Sequence, residues 1–151
     1  MALDPRLAIA TTAAMCDAGV DRADSGTGAA LLRIYTGAAP SNVDAAATGT
    51  LLGTLVMSDP AFGNAADFGS PATASRATAS AITSDTSADA TGTAGYYRVW
   101  SSNDGATPLA AIMQGSAGEA ADTTNLTLDD KNIVLGGTIA VSAFTFDMNK
   151  A

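Results

Sequence analysis

The stretch Tyr96-Tyr97-Arg98-Val99-Trp100-Ser101 decides the fold, because it gathers three of the chain's four Tyr and Trp side chains into six residues. Aromatic and β-branched residues suit a pleated, half-buried surface, and Asn103-Asp104-Gly105 follows as a tight-turn sequence. The pair predicts a strand and a hairpin, with Leu109 to Gly115 as the returning partner. A regular strand puts Tyr96 opposite Tyr97, and Tyr97 opposite Trp100, so aromatic rings stand on both faces. Working outward, Leu31 to Tyr35 reads as a short strand stopped by Thr36-Gly37 and Pro40. Leu51 to Ser58 is the longest apolar run and reads as a central strand, ended by Asp59-Pro60. A weaker segment runs from Ala61-Phe62-Gly63 to Phe68, and Ala77 to Ile82 alternates small residues. Leu126-Thr127-Leu128 and Ile133-Val134-Leu135 follow, and then a terminal strand from Thr138 to Asp147. That strand sets Ile139, Val141, Ala143 and Thr145 on one face and Phe144 and Phe146 on the other. Apolar residues on both faces imply burial on both sides, in its own sandwich or against another chain. Seven to nine short strands, separated by Gly, Asp, Ser and Thr turns at roughly ten-residue spacing, predict a mainly β fold. Its body is an antiparallel β-sandwich or jelly-roll-like domain with a short N-terminal helix.

The helix is read over residues 4–19. Asp4 is a good N-cap, Pro5 a good first residue and Gly19 a C-cap. Leu7, Ile9, Ala10, Ala13, Ala14 and Met15 form its apolar face, too rich in alanine to stabilise much alone. It is expected to pack on a neighbour's surface or on its own domain. Residues 21–28 have the composition of a linker. The division is therefore 1–28, a helical arm and linker, and 29–151, the β-sandwich domain.

Composition excludes whole classes of function. Seven basic and fifteen acidic residues leave a net charge of −8 in 151 residues. Phosphate neutralisation needs the reverse, so no nucleic-acid partner is expected. Alanine accounts for 34 residues, and Leu, Ile, Val and Phe together for 27, so the core is thin and leans on partners. There is no histidine, which removes the commonest general base and the commonest zinc ligand. The single cysteine, Cys16, has no cation beside it to lower its pKa and reads as a small buried hydrophobe. The N-terminus lacks the basic region and apolar run of a signal peptide, and no window is long enough to span a bilayer. No membrane partner and a cytoplasmic origin are expected.

Each candidate site has a plainer reading beside it. Asp85 and Asp89 could ligate Ca²⁺ in a flexible loop, but the spacing fits no calcium-loop pattern and reads as a solvated turn. Asp129 and Asp130 beside Lys131 are adjacent, so their carboxylates diverge on an extended chain, as a surface turn. Gly26-Thr27-Gly28 and Gly136-Gly137 lack the Lys and Ser or Thr of a phosphate loop and read as turns. Asn125-Leu126-Thr127 fits a glycosylation sequon without a secretory route. Arg33 and Arg98 sit among hydrophobes, where each is expected to pair with a carboxylate within the chain or across a subunit boundary. No catalytic, cofactor-binding or metal-ligating residue is assigned.

Four phrases carry a resemblance: Leu32-Arg33-Ile34-Tyr35-Thr36-Gly37-Ala38-Ala39-Pro40, Ala46-Ala47-Thr48-Gly49-Thr50-Leu51-Leu52-Gly53-Thr54-Leu55, Ser58-Asp59-Pro60-Ala61-Phe62-Gly63 and Ala90-Thr91-Gly92-Thr93-Ala94-Gly95-Tyr96-Tyr97-Arg98-Val99. From about residue 30 onward the chain resembles small virion structural proteins of tailed bacteriophages, of the capsid decoration (cement) type. The resemblance implies a non-enzymatic β-sandwich module that stabilises the head across capsomer boundaries. Its partners would be the major capsid protein and further copies of itself, a homotrimer being natural at threefold positions. It would be made in the host bacterial cytoplasm and reside on the capsid surface. The alternatives are a tail, neck or head-fibre component, and a carbohydrate-binding sandwich module using Tyr96, Tyr97 and Trp100 as a stacking platform. The candidate interface residues are Leu7, Ile9 and Met15 of the helix, Arg33 and Arg98, and Phe144 and Phe146 of the terminal strand.

Overall fold

The computed structural model describes residues 7–69, 73–101 and 111–149. Asp4, Pro5 and the Asn103-Asp104-Gly105 turn lie outside them. The chain is mainly β with one N-terminal helix, α1 (Ile9–Val20). The strands are β1 (Leu31–Thr36), β2 (Leu51–Met57), β3 (Ala66–Phe68), β4 (Ala74–Thr78), β5 (Ile82–Thr83), β6 (Gly92–Trp100), β7 (Ala111–Gly118), β8 (Leu126–Leu128), β9 (Asn132–Ile133) and β10 (Val141–Asn149). They join into one sheet in the order β3-β4-β10-β8-β7-β6-β1-β2-β5, with β9 paired to β6. Among the described residues every strand pairing is antiparallel except β7 with β8, where Ala117 lies beside Leu126 and Gly118 beside Thr127. A 3₁₀ turn at Ala120–Asp122, with reciprocal Glu119 and Asp122 caps, lies in the connection between them.

Register explains why the middle of the sheet holds the core. Leu55, Leu32, Val99 and Met113 stand directly across from one another on β2, β1, β6 and β7. All four are buried. Ile34 and Tyr97 form the next row on the same face. The sheet curls so that β10 comes over this face. Phe144 packs edge-on against Phe62 (5.2 Å between centroids) and Tyr97 (4.9 Å). The segment 74–85 holds the curl. It pairs with β10 as far as the Ala79 N–H bond to the Phe144 carbonyl, then crosses to β2, where Ile82 faces Met57. Asp85 then exchanges both backbone hydrogen bonds with Ile139. Small Ala, Ser and Thr residues let one stretch serve both ends of the strand order, which their weak strand signal in the sequence does not foretell.

The helix docks on its own chain, against β4 and β10. Its buried residues are Thr12, Cys16 and Val20, not the Leu7–Met15 face expected from sequence. The reason is chemical: the sheet presents Ser75, whose hydroxyl hydrogen-bonds Thr12 Oγ1 at 3.1 Å, and two carbonyls near Cys16 Sγ. A small, partly polar helix face fits there, and bulky Leu7, Ile9 and Met15 turn outward. Residues 21–28 are not a free linker either. Asp21–Asp24 forms a 3₁₀ turn, Ala23 is fully buried, and the Asp24 carboxylate accepts the Ala61 N–H. The arm therefore shares the core of the β domain.

Burial of the Tyr97 ring pushes its phenol up to about 12 from the ordinary 10.0. The unfolded chain loses this proton from about pH 10 while the folded chain keeps it until about pH 12. Stability present below pH 10 is therefore lost as pH rises across that window, by about 3 kcal/mol in all. Urea unfolding at stepped pH is expected to show this slope in the native protein. In Tyr97→Phe the slope should be much shallower; equal slopes contradict the burial of the phenol.

Candidate interaction surfaces

The outer face of the same four strands has its own rows. Thr54, Arg33, Arg98 and Gln114 stand across β2, β1, β6 and β7, flanked by Leu51, Tyr35, Tyr96 and Ser116 and by Val56, Leu31, Trp100 and Ala111. The middle of this face is covered, while Val56 at its edge is 44% exposed. The 37–50 loop folds back over it, held by side chains reaching backbone groups that any sequence would offer. Tyr96 Oη donates to the Thr48 carbonyl and accepts the Thr48 N–H. Arg98 Nη1 donates to the Ala45 carbonyl at 2.8 Å, and Gln114 Nε2 donates to that of Pro40. Tyr35 and Tyr96 stack with centroids 5.0 Å apart.

Arg98 is only 1% exposed. Its Nε donates to Gln114 Oε1 at 3.1 Å, and its Nη2 has no acceptor. Arg33, directly opposite, lies 5.1 Å from the centre of the Trp100 ring, and its Nε also lacks an acceptor, as does Trp100 Nε1. Sequence reasoning expected each arginine to meet a carboxylate. Among the described residues the ion pairs are instead Arg76 with Asp147 and Lys131 with Asp122. A buried donor without a partner costs about 1–3 kcal/mol and an unpaired buried charge more. Like charges directly across a sheet add repulsion. The two residues are together, as a cationic pair without a counterion among the described residues. A cavity of about 300 Å³ opens beside them, lined by Arg98, Trp100, Ala111 and residues 43–47.

The other candidates separate. Ile9 and Met15 are exposed on the helix, and Leu7 is exposed just before it. Phe144 is 2% exposed inside the chain's own core and offers no open face, while Phe146 is half-buried against that core. Tyr96 and Tyr97 are buried on opposite faces, so the three aromatics make no sugar-stacking platform. Asp85 works within the fold: its Oδ2 accepts the Thr54 N–H and its Oδ1 that of Ser87, while Asp89 N–H bonds the Leu52 carbonyl. Asp130 closes its own turn onto the Asn132 N–H, and Lys131 reaches Asp122. Among the described residues no three His, Cys, Asp or Glu side chains converge as metal ligands. Sequence reasoning missed Val134 and Leu135. They were expected in a strand, but they stand 63% and 65% exposed at a turn that Gly136 completes with φ +76°. The Gly136-Gly137 pair immediately after them was the available signal. A groove of about 410 Å³ also opens where residues 78–82 diverge from 141–145.

Comparison with protein-family models, curated proteins and solved structures finds no match to this chain.

Burial also pushes the Cys16 thiol up, and the docked helix covers it completely. Thiolate reagents should label the native protein on the order of a hundredfold more slowly than the urea-unfolded chain. Equal rates would mean that the helix swings free of the sheet.

Proposed function

We propose that this chain is a non-enzymatic structural protein of a tailed-phage virion, a capsid decoration (cement) protein bracing the head across capsomer boundaries. The curled sheet is read here as a sandwich- or jelly-roll-like body that carries contact surfaces. One observation carries the reading. In a chain so poor in large apolar residues, Ile9 and Met15 on α1, Leu7 just before it, and Val134 and Leu135 on a turn are held out of the core. Apolar side chains outside a thin core are what a module completed by assembly requires. A brace with several such contacts separates only when all break together, so weak interfaces sum against internal pressure. The net charge of −8 keeps the free protein soluble before docking. The partners are the major capsid protein and other copies of the chain, in trimers if docking is at threefold positions. Tail, neck or head-fibre placement is the second reading, supported by the same exposed residues.

Purified protein mixed with undecorated heads from its source should add density at capsomer boundaries in electron micrographs. The double variant Val134→Asp, Leu135→Asp should fold normally, because both side chains are solvent-facing, and bind at least tenfold more weakly. Density at a vertex or tail would favour the second reading; binding to neither would overturn both.

A further inference from the structure

We propose that the cavity lined by Arg98 and Trp100, with Arg33 behind them in the sheet register, is a binding site for a carboxylate carried on a short apolar stem. Three N–H donors on one face, Arg98 Nη2, Arg33 Nε and Trp100 Nε1, are buried without acceptors. Two of them belong to cations directly opposite in the register, and neither has a carboxylate partner among the described residues. A chain with fifteen acidic and seven basic residues has ample carboxylates for structural pairing, yet it sets Arg98 apart at 1% exposure. Its guanidinium is not loose. Gln114 Oε1 holds Nε and the Ala45 carbonyl holds Nη1, so Nη2 is fixed in place as the remaining donor. Such a preorganised fork loses little entropy when an oxyanion arrives, and the anion relieves both the unpaired donors and the Arg33–Arg98 repulsion.

The cavity's own lining selects among anions. Arg98 and Trp100 supply the polar end, while Val43, Ala45, Ala46, Ala47 and Ala111 supply apolar walls. Apolar walls suit a methylene stem and leave a second or third phosphate charge without partners. Asp44 lines the same cavity and opposes a dianion about twice as strongly as a single carboxylate. A carboxylate is planar and matches guanidinium donors in geometry. The same chemistry comes from a small free acid or from an Asp or Glu side chain of another polypeptide. This assignment stands independently of a role in a virion.

Trp100 is the only tryptophan, so its emission reports the site directly. The protein is titrated with sodium propionate, and separately with N-acetyl-glutamate amide, against chloride and phosphate at constant ionic strength. Either carboxylate should shift Trp100 emission saturably and raise Tm by about 4 °C at ten times its Kd, with chloride and phosphate giving no saturable change. A response to propionate identifies a free acid as sufficient; a response to the amide alone identifies a peptide acid. Arg98→Met should abolish the response. Should that variant not fold, Arg33→Gln, at a half-buried position, should weaken binding at least tenfold. No saturable response to either carboxylate, an equal response to phosphate, or full binding by a folded variant would overturn the assignment.

Discussion

Alternate residues of a strand face opposite ways, and β6 is buried on both sides from Tyr96 to Val99. Inward, Tyr97 and Val99 meet Leu32, Ile34, Met113 and Phe144 in the core. Outward, Tyr96, Arg98 and Trp100 lie under the 37–50 loop. A nine-residue strand covered twice fixes its neighbours: β1 and β7 must match its register on both faces, and the sheet must curl to bring β10 across. It also dictates the polar chemistry. An arginine on such a strand cannot reach water, so backbone carbonyls and a glutamine must take part of its charge. The part they leave unmet is the most chemically committed feature of the molecule.

Much of this was legible from residue order. The apolar run from Leu51 and the alternation at Leu126 to Leu128 became strands close to their expected limits, and the aromatic run from Tyr96 lies in a strand that begins earlier, at Gly92. Their signal is strong because large or β-branched side chains fit little else. The residues that went astray carry weak signals. Ala74 to Thr83 is small and polar, and only the pairing geometry shows that it serves both ends of the sheet. The face of α1 was misassigned because alanine gives a helix no strong preference, and a Thr–Ser hydroxyl contact decided the matter. The carboxylate partners expected for Arg33 and Arg98 within the chain are not met among the described residues, for another reason. Composition says how many acids exist, not where the register puts them. Cover by the 37–50 loop was illegible because it rests on the carbonyls of Pro40, Ala45 and Thr48, which leave no trace in side-chain identity.

The functional reading follows from how little bulky apolar material there is and where it goes. The interior is completed with alanine at Ala23, Ala30, Ala61, Ala77, Ala88 and Ala94, so elements approach closely and large side chains can be spared for the surface. Val134 and Leu135 on their turn, Ile9 and Met15 on the helix, and Leu7 just before it are so placed. Docking of the helix in cis means these residues are offered by a firm body and not by a free arm. A rigid presenter loses less entropy on assembly than a flexible one, which suits a protein whose work is to hold other molecules together.

Amide hydrogen exchange at Thr48, read residue by residue by NMR, tests most directly whether β6 is sealed on its outer face. The Thr48 N–H is bonded to Tyr96 Oη at 2.9 Å, in the middle of the covering loop. Protection within about tenfold of the Val99 amide in β6 is expected, because loop and strand then open together. Exchange at the rate of an unstructured peptide, with Val99 still protected, would mean an open loop, a solvated Arg98 and no enclosed cationic site.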